Sequence, residues 1–183
     1  MPQLNDPFFG RAVVLMIEHD ENGSFGLIIN QESDLSVDQL LSALELEWSG
    51  ESDKSVWSGG PVMPSSGWVL HQKIDGLEVE SARLEEALER GTTLAVTDEL
   101  CLSSSVTSLA AIAEARPAAS KFLLGYSGWA AGQLAQEMAR GSWLHADIST
   151  SLVFDTPADE VWAAALKSIG VDPEAIVQTR GVH

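Results

Sequence analysis

Apolar positions near the start of the chain fall into two short runs, Val13 to Ile17 and Phe25 to Ile29, separated by Asp20-Glu21-Asn22-Gly23. Runs of this length bounded by a turn signal read as strands, and Asn-Gly tolerates the positive φ angles of a tight reversal, so the pattern predicts a β-hairpin. Both arms are apolar nearly throughout, which favours a hairpin inside a sheet covered on both faces over one at a wet edge. The period then changes. Val37, Leu40, Leu41 and Leu44 recur at i, i+3, i+4 and i+7 behind the capping box Ser36-Val37-Asp38-Gln39, which predicts an amphipathic helix.

Glu45 to Ser58 is an acidic, serine-rich connection, and Gly59 to Gly67, with its glycines and prolines, extends it into a long loop of functional character before a strand over Trp68 to Ile74. Ser81 to Arg90 reads as a charged helix closed by Gly91, and Leu94 to Thr97 as a strand. Ser105 to Ala115 reads as a helix with Val106, Leu109, Ala110, Ile112 and Ala113 facing inward, stopped by Arg116-Pro117. Phe122 to Leu124 predicts a buried strand, after which the glycines at 125, 128 and 132 let the backbone reverse. A helix should start at about Gln133, with Leu134 and Met138 as its short apolar stripe and Gly141 as a left-handed cap. Trp143-Leu144 and Leu152 to Phe154 read as further strands. Thr156 then caps a last helix with Pro157 at its first position, Asp159 and Glu160 near its positive end, and Val161, Trp162, Ala165, Leu166 and Ile169 inside, up to Gly170.

No internal repeat, low-complexity tract or long linker divides the 183 residues, so one domain spanning 1–183 is expected. Strands and helices do not alternate strictly and the opening hairpin is antiparallel, which favours an α+β arrangement over a doubly wound parallel sheet. The one cysteine, Cys101, can form no internal bridge and points to a reducing compartment. Ala12 to Ile17 is far shorter than the about 20 apolar residues of a membrane-spanning helix, and the start lacks the basic region of a signal peptide, so a cytoplasmic location with no membrane partner is expected. Twenty-seven acidic against ten basic side chains give a net charge of −17, with the basic ones scattered singly. Such a field repels phosphate backbones and disfavours direct nucleic-acid binding.

Candidate chemistry is sparse. The strand, glycine-rich turn and helix start around Gly125 suggest anion binding, yet neither G-x-G-x-x-G nor G-x-x-x-x-G-K-[ST] is present, and no lysine stands between Lys121 and Lys167. Ser127 in Gly125-Tyr126-Ser127-Gly128-Trp129 lacks the glycine two positions on that a nucleophile elbow requires, which leaves a turn hydrogen bond as its simpler role. His19 and His71 end apolar strands, and Glu18, Asp20 and Glu21 adjoin the first; meeting strand ends would form a metal site or acid–base pair, although neither spacing is diagnostic. Of the six tryptophans, Trp143 and Trp162 read as core, whereas Trp57, Trp68 and Trp129 lie beside glycine-rich loops, where aromatic rings either plug the fold or line a groove. Plugging is the favoured role, because aromatic burial is a large stabilising term.

Three blocks carry a family resemblance: Met1 to Asn30; Gly59-Gly60-Pro61-Val62 with Gly67-Trp68-Val69-Leu70-His71; and Gly125 to Leu144, G-Y-S-G-W-A-A-G-Q-L-A-Q-E-M-A-R-G-S-W-L. In this order they resemble the uncharacterised bacterial YqgE/AlgH family nearly end to end, departing at Ser127, where the family commonly has Ala, and at Ala135, where it commonly has Glu. The resemblance implies a mixed, largely antiparallel sheet, curled and barrel-like, flanked by helices. It raises His19 and His71 as site positions without assigning a reaction. It also implies, through a member associated with alginate control, a transcriptional regulator, which the charge would confine to acting indirectly through a protein partner. The expected groove comprises His19, Asn30, Gly59, Gly60, His71, Tyr126, Gly128, Trp129, Gln133 and Glu137. No complete catalytic constellation, metal-ligand set or cofactor fingerprint accompanies it. The leading expectation is therefore a non-enzymatic binding or regulatory domain, without cofactor or metal, for a small molecule or protein partner. The indirect transcriptional regulator is the alternative, and an enzyme using His19, His71 or Tyr126 the second.

Overall fold

The computed structural model describes residues 8–48, 54–80, 83–115, 117 and 119–178. Along the chain they hold β1 (Val14–Asp20), β2 (Gly23–Ile28), β3 (Glu32–Ser36), α1 (Val37–Ala43), β4 (Ser55–Ser58), β5 (Val62–Gln72), β6 (Val79–Glu80), α2 (Leu84–Arg90), β7 (Thr93–Ala95), β8 (Leu100–Ser103), α3 (Val106–Ala115), β9 (Ser120–Ala130), α4 (Gln133–Ala139), α5 (Thr150–Phe154), α6 (Ala158–Ser168) and α7 (Pro173–Gln178). The class is α+β, as expected, with antiparallel pairing throughout except between β4 and β9 and between β6 and β7. Two compact units result, Met1–Gln31 with Ser127–His183, and Glu32–Tyr126.

In the unit of Met1–Gln31 and Ser127–His183, β1 and β2 form the expected hairpin, and β2 pairs on its other side with Ser127 to Ala130 of β9. The reversal sits one residue earlier than the Asn-Gly signal. Asp20 pairs with Gly23 across Glu21-Asn22, and its Oδ1 accepts from the backbone N–H groups of Asn22 (2.7 Å) and Gly23 (3.3 Å). An aspartate side chain thus holds the turn, while Gly23 admits the neighbouring strand, since a Cβ there would lie 2.6 Å from the Trp129 carbonyl oxygen. Of the hairpin's two arms, only β2 is interior to the sheet. Among the described residues β1 pairs with β2 alone, so the hairpin's first arm is an edge, contrary to the expectation of full cover, and its Glu18-His19-Asp20 end discourages further strand addition.

Two predicted strands of this unit are absent. Trp143 is buried in an irregular segment, and Leu152 to Phe154 lies in α5, started by Ser149, whose Oγ accepts from the Leu152 N–H at 3.2 Å. Three apolar residues carry no period, so the local cap decides. In α6, Val161, Trp162, Ala165 and Leu166 are buried as expected. Thr156 does not cap it; its hydroxyl donates to the Ser151 carbonyl at 3.0 Å.

In the unit Glu32–Tyr126, the first part of β9 pairs in parallel with β4 and antiparallel with β5, which continues through β8 and β7 to β6. The capping box at Ser36 is formed, and Val37 and Leu41 of α1 enter a core with Val56, Val69, Leu109, Ile112, Ala113 and Phe122. Trp68 is buried too, and Trp48 meets Phe122 edge-on at 5.7 Å. Three expectations change. First, the chain does not reverse at Gly125: β9 runs straight on to Ala130, and the turn comes at Ala131-Gly132. Gly125 (φ 71°) instead lets the Gly60 carbonyl oxygen occupy the space of a missing Cβ. Second, most of the expected loop from Gly59 to Gly67 is strand β5, with its register broken between Val62 and Gly67 and Met63 at φ 44°. Third, α3 is rotated, so that Val106 is 57% exposed while Ser108 faces inward, its hydroxyl satisfied by Ser105 Oγ at 2.8 Å. The start of the predicted helix at Ser81, and Arg116, lie outside the described residues.

Candidate functional site

The turn after β9 builds a compact cluster in the unit of Met1–Gln31 and Ser127–His183. Gly132 takes the left-handed conformation (φ 71°) that starts α4, and Gln133 Oε1 accepts from the Ala130 N–H at 3.0 Å. Gln133 Nε2 donates to Glu137 Oε1 at 2.9 Å, one turn further on. Two indoles converge on the other carboxylate oxygen: Trp129 Nε1 donates to Oε2 at 3.0 Å and Trp143 Nε1 at 2.7 Å. Their rings meet nearly edge-to-face with centroids 5.6 Å apart, and Phe9 packs against both, at 6.4 and 5.6 Å. Burial works to raise the Glu137 carboxyl, but the bonds from Trp143, Gln133 and Trp129 with the charge of Arg140 outweigh it and hold the group below the ordinary glutamate value. Trp129, Gln133 and Glu137 are thus brought together. Such a bound carboxylate serves to position rings. Across the strands His19 pairs with Ser24 and Ser24 with Trp129, so the exposed His19 shares a cross-strand row with the cluster, its Nδ1 2.7 Å from Ser24 Oγ. Gly128 is exposed in β9.

The expected site residues of the other unit fall in two places. His71 pairs with Ser120 at one end of the β5–β9 ladder, whereas Tyr126 pairs with Val62 six residues along β9, a separation of roughly 20 Å for an extended strand. At the Tyr126 end, Gly59 donates its N–H to the Leu124 carbonyl at 2.8 Å, Gly60 abuts Gly125, and Trp68 lies edge-on to Tyr126 at 6.2 Å. At the other end His71 is fully buried. Its Nδ1 lies 2.7 Å from the Gln72 carbonyl oxygen and must donate there, leaving Nε2 of the neutral ring to accept from Ser103 Oγ at 2.9 Å, which in turn accepts from Thr93 Oγ1 at 2.7 Å. Burial holds the imidazole below its ordinary value, against the opposite pull of the Gln72 carbonyl. This satisfied polar chain ties β5, β7 and β8 together.

Lys121, also in this unit, is 4% exposed, with its Nζ 3.6 Å above the Trp57 ring centroid. Burial lowers its ammonium to about 8, opposed by Glu32 and reinforced by Lys54, whose own Nζ donates to Ser120 Oγ at 2.8 Å. Among the described residues, no group of three or more His, Cys, Asp or Glu side chains is placed to hold a metal ion.

Asn30 belongs elsewhere in the unit of Met1–Gln31 and Ser127–His183, in a cleft of about 700 Å³ lined by Gly10, Arg11, Asn30, Gln31, Ala158, Asp159, Trp162, Ala163, Pro173 and Glu174. Asn30 Oδ1 accepts from the Val13 N–H at 2.8 Å and its Nδ2 donates to the Arg11 carbonyl at 3.0 Å, while Gln31 Nε2 donates to the Phe8 carbonyl. Two side chains from the end of β2 therefore hold the loop of residues 8–13, and Arg11 is fixed at φ 57°, a conformation uncommon for a residue with a side chain. Its guanidinium carbon stands 5.3 Å from the Trp162 ring centroid. Phe9, held between Trp129 and Trp143, continues directly into Gly10 and Arg11, so the Glu137 cluster supports this wall of the cleft from behind. Sequence reasoning missed Arg11, Phe9 and Lys121 and read Trp162 only as core. The one available signal for Arg11 was its place, together with Asn30, in the first family block.

Known proteins corroborate this architecture. The pattern of the AlgH-like family (DUF179) matches residues 1–174. A UPF0301 protein of Chromobacterium violaceum is 36% identical over 179 residues, 96% of this chain and 89% of its own length. Another from Myxococcus xanthus is 36% identical over 184 residues, 100% of this chain and 94% of its own. The solution structure of the AlgH protein from Pseudomonas aeruginosa is similar with a TM-score of 0.73 and 34% identity, over 97% of this chain and 88% of that one. A protein from Corynebacterium diphtheriae, 23% identical over 91% of this chain and 81% of its own, shares the fold with a TM-score of 0.68. With the match running from the first residue to the start of α7, this chain belongs to the AlgH-like family.

Proposed function

We propose that the protein is a non-enzymatic binding domain of regulatory type, and that its ligand occupies the cleft bounded by the loop of residues 8–13, α6 and the start of α7. One observation carries this reading: the cleft wall is held in advance by Asn30 and Gln31 in front and by the Phe9, Trp129, Trp143 and Glu137 cluster behind. A preformed wall spares a ligand the entropy of ordering the loop. The volume suits a small metabolite, since ligand pockets span roughly 300–1,000 Å³. A binding role is favoured over catalysis because the buried imidazole of His71 has partners at both nitrogens and Glu137 accepts three hydrogen bonds. A regulatory effect would pass through a protein partner, since a net charge of −17 repels nucleic acid.

A thermal-shift screen against metabolites tests this with the wild type and Ala163→Trp, a change that fills the cleft from α6. A compound binding only the folded state at about 100 times its Kd stabilises it by about 2.7 kcal/mol. Compounds that stabilise the wild type and not the filled variant support the reading; equal shifts in both would place the site elsewhere.

A further inference from the structure

We infer that the cleft takes a small organic monocarboxylate with an apolar body, its carboxylate received by Arg11. This rests on the cleft being the binding site and goes further by naming the ligand's chemistry. In a chain with 27 acidic and 10 basic side chains, an arginine is expected to find a carboxylate partner. Arg11 has none: among the described residues no acidic group lies in ion-pair range of it, although Asp159 and Glu174 line the same cleft. Its position is also expensive to maintain, with a left-handed backbone stapled by Asn30 and a guanidinium laid over Trp162. The guanidinium lies over the indole, and among the described residues no acidic side chain engages its N–H donors, a fork suited to receive a carboxylate through two parallel hydrogen bonds.

The remaining lining sets the rest of the ligand. Trp162, Ala163, Ala158 and Pro173 offer apolar contact for the body. Asp159 and Glu174 repel a second negative charge, which argues against phosphate monoesters and polyphosphates, both of which carry more than one charge near neutral pH. A free ammonium compound would be drawn to the two acids but would oppose Arg11.

Calorimetric titration with three ring compounds tests this: indole-3-acetate as the monocarboxylate, tryptamine as the cation, and adenosine monophosphate as the phosphate. Indole-3-acetate should bind saturably and the others at least tenfold more weakly, in line with the strength of a charge-assisted pair of hydrogen bonds. Arg11→Gln should weaken indole-3-acetate by roughly tenfold or more, and Arg11→Lys, which keeps the charge but not the fork, by less. If tryptamine or the phosphate binds equally well, or Arg11→Gln changes nothing while Ala163→Trp still blocks binding, the cleft stands as the site and the monocarboxylate assignment falls. Absence of binding by all three, together with no compound in the thermal screen discriminating wild type from Ala163→Trp, overturns both.

Discussion

Trp143 donates its indole N–H to Oε2 of Glu137 across 2.7 Å, and that oxygen also receives the indole of Trp129 at 3.0 Å. One carboxylate thus fixes two rings contributed by β9 and by the irregular segment after α4, and the rings in turn hold Phe9 at the root of the cleft wall. A residue set back from the cleft can therefore govern the shape of its wall through the loop it supports.

Replacing Glu137 with Gln removes the charge that both indoles address and should lower stability by about 1–3 kcal/mol in denaturant titrations at neutral pH. The acid dependence follows from linkage. Because the folded carboxyl lies below the ordinary glutamate value of 4.5, the unfolded chain takes up its proton first as pH falls. The stabilisation is complete above 4.5 and declines below it, so the wild type and Glu137→Gln should converge in acid. A constant gap between them down to the lowest pH at which both fold would contradict this.

His71 predicts a second acid-sensitive step at higher pH. Its folded value lies below 6.5, so the unfolded chain again binds the proton first, and stability is present above 6.5 and declines as pH drops through the folded value. Substituting His71→Asn should flatten the pH dependence of the unfolding midpoint in this window relative to wild type, and proton titration by NMR should place the ring below 6.5.

Lys121 has the same direction in pH but acts in an alkaline window. Its ammonium is lowered from 10.5 to about 8, so between those values the folded protein has released a proton that the unfolded chain keeps. Stability from this group should rise with pH across that window, by up to about 3 kcal/mol if the full shift is realised. Lys121→Met should abolish the rise in midpoint between pH 8 and 10.5.

Two glycines with the same φ of 71° separate backbone conformation from crowding. At Gly132 an added Cβ meets open space, whereas at Gly125 it meets the Gly60 carbonyl. Gly132→Ala should cost about 1 kcal/mol from the left-handed conformation alone. Gly125→Ala should cost clearly more, at least about 3 kcal/mol, because β4's flank and β9 would have to separate. Similar losses at the two sites would mean that the strands yield readily.

Elements with a local cause were legible. The capping box at Ser36, the αL closure of α2 at Gly91, the start of α4 at Gln133 and the inner face of α6 each follow from residues within a turn or two of chain. Where several outcomes share the same local cause, the reading failed. Gly125 permits a reversal and a close strand approach equally, and Leu152 to Phe154 fits a strand or a helix until Ser149 caps it. The site was legible in part for the same reason: Trp129, Gln133 and Glu137 lie eight residues apart at most and meet through one turn, but Asn30 works against a loop some twenty residues away.

The sequence alone determined the α+β class, the helix boundaries marked by caps, the strong net acidity, and the family. Only the tertiary structure decided that His71 is enclosed while His19 is exposed, that Lys121 rests on Trp57, and that Arg11 faces a cleft over Trp162. Periodicity and capping arise from hydrogen bonds and sterics spanning a few residues, so they can be read along the chain. Burial, desolvation and the partner of a charge depend on which distant segments come to lie beside it, and that is settled only when strands and helices pack.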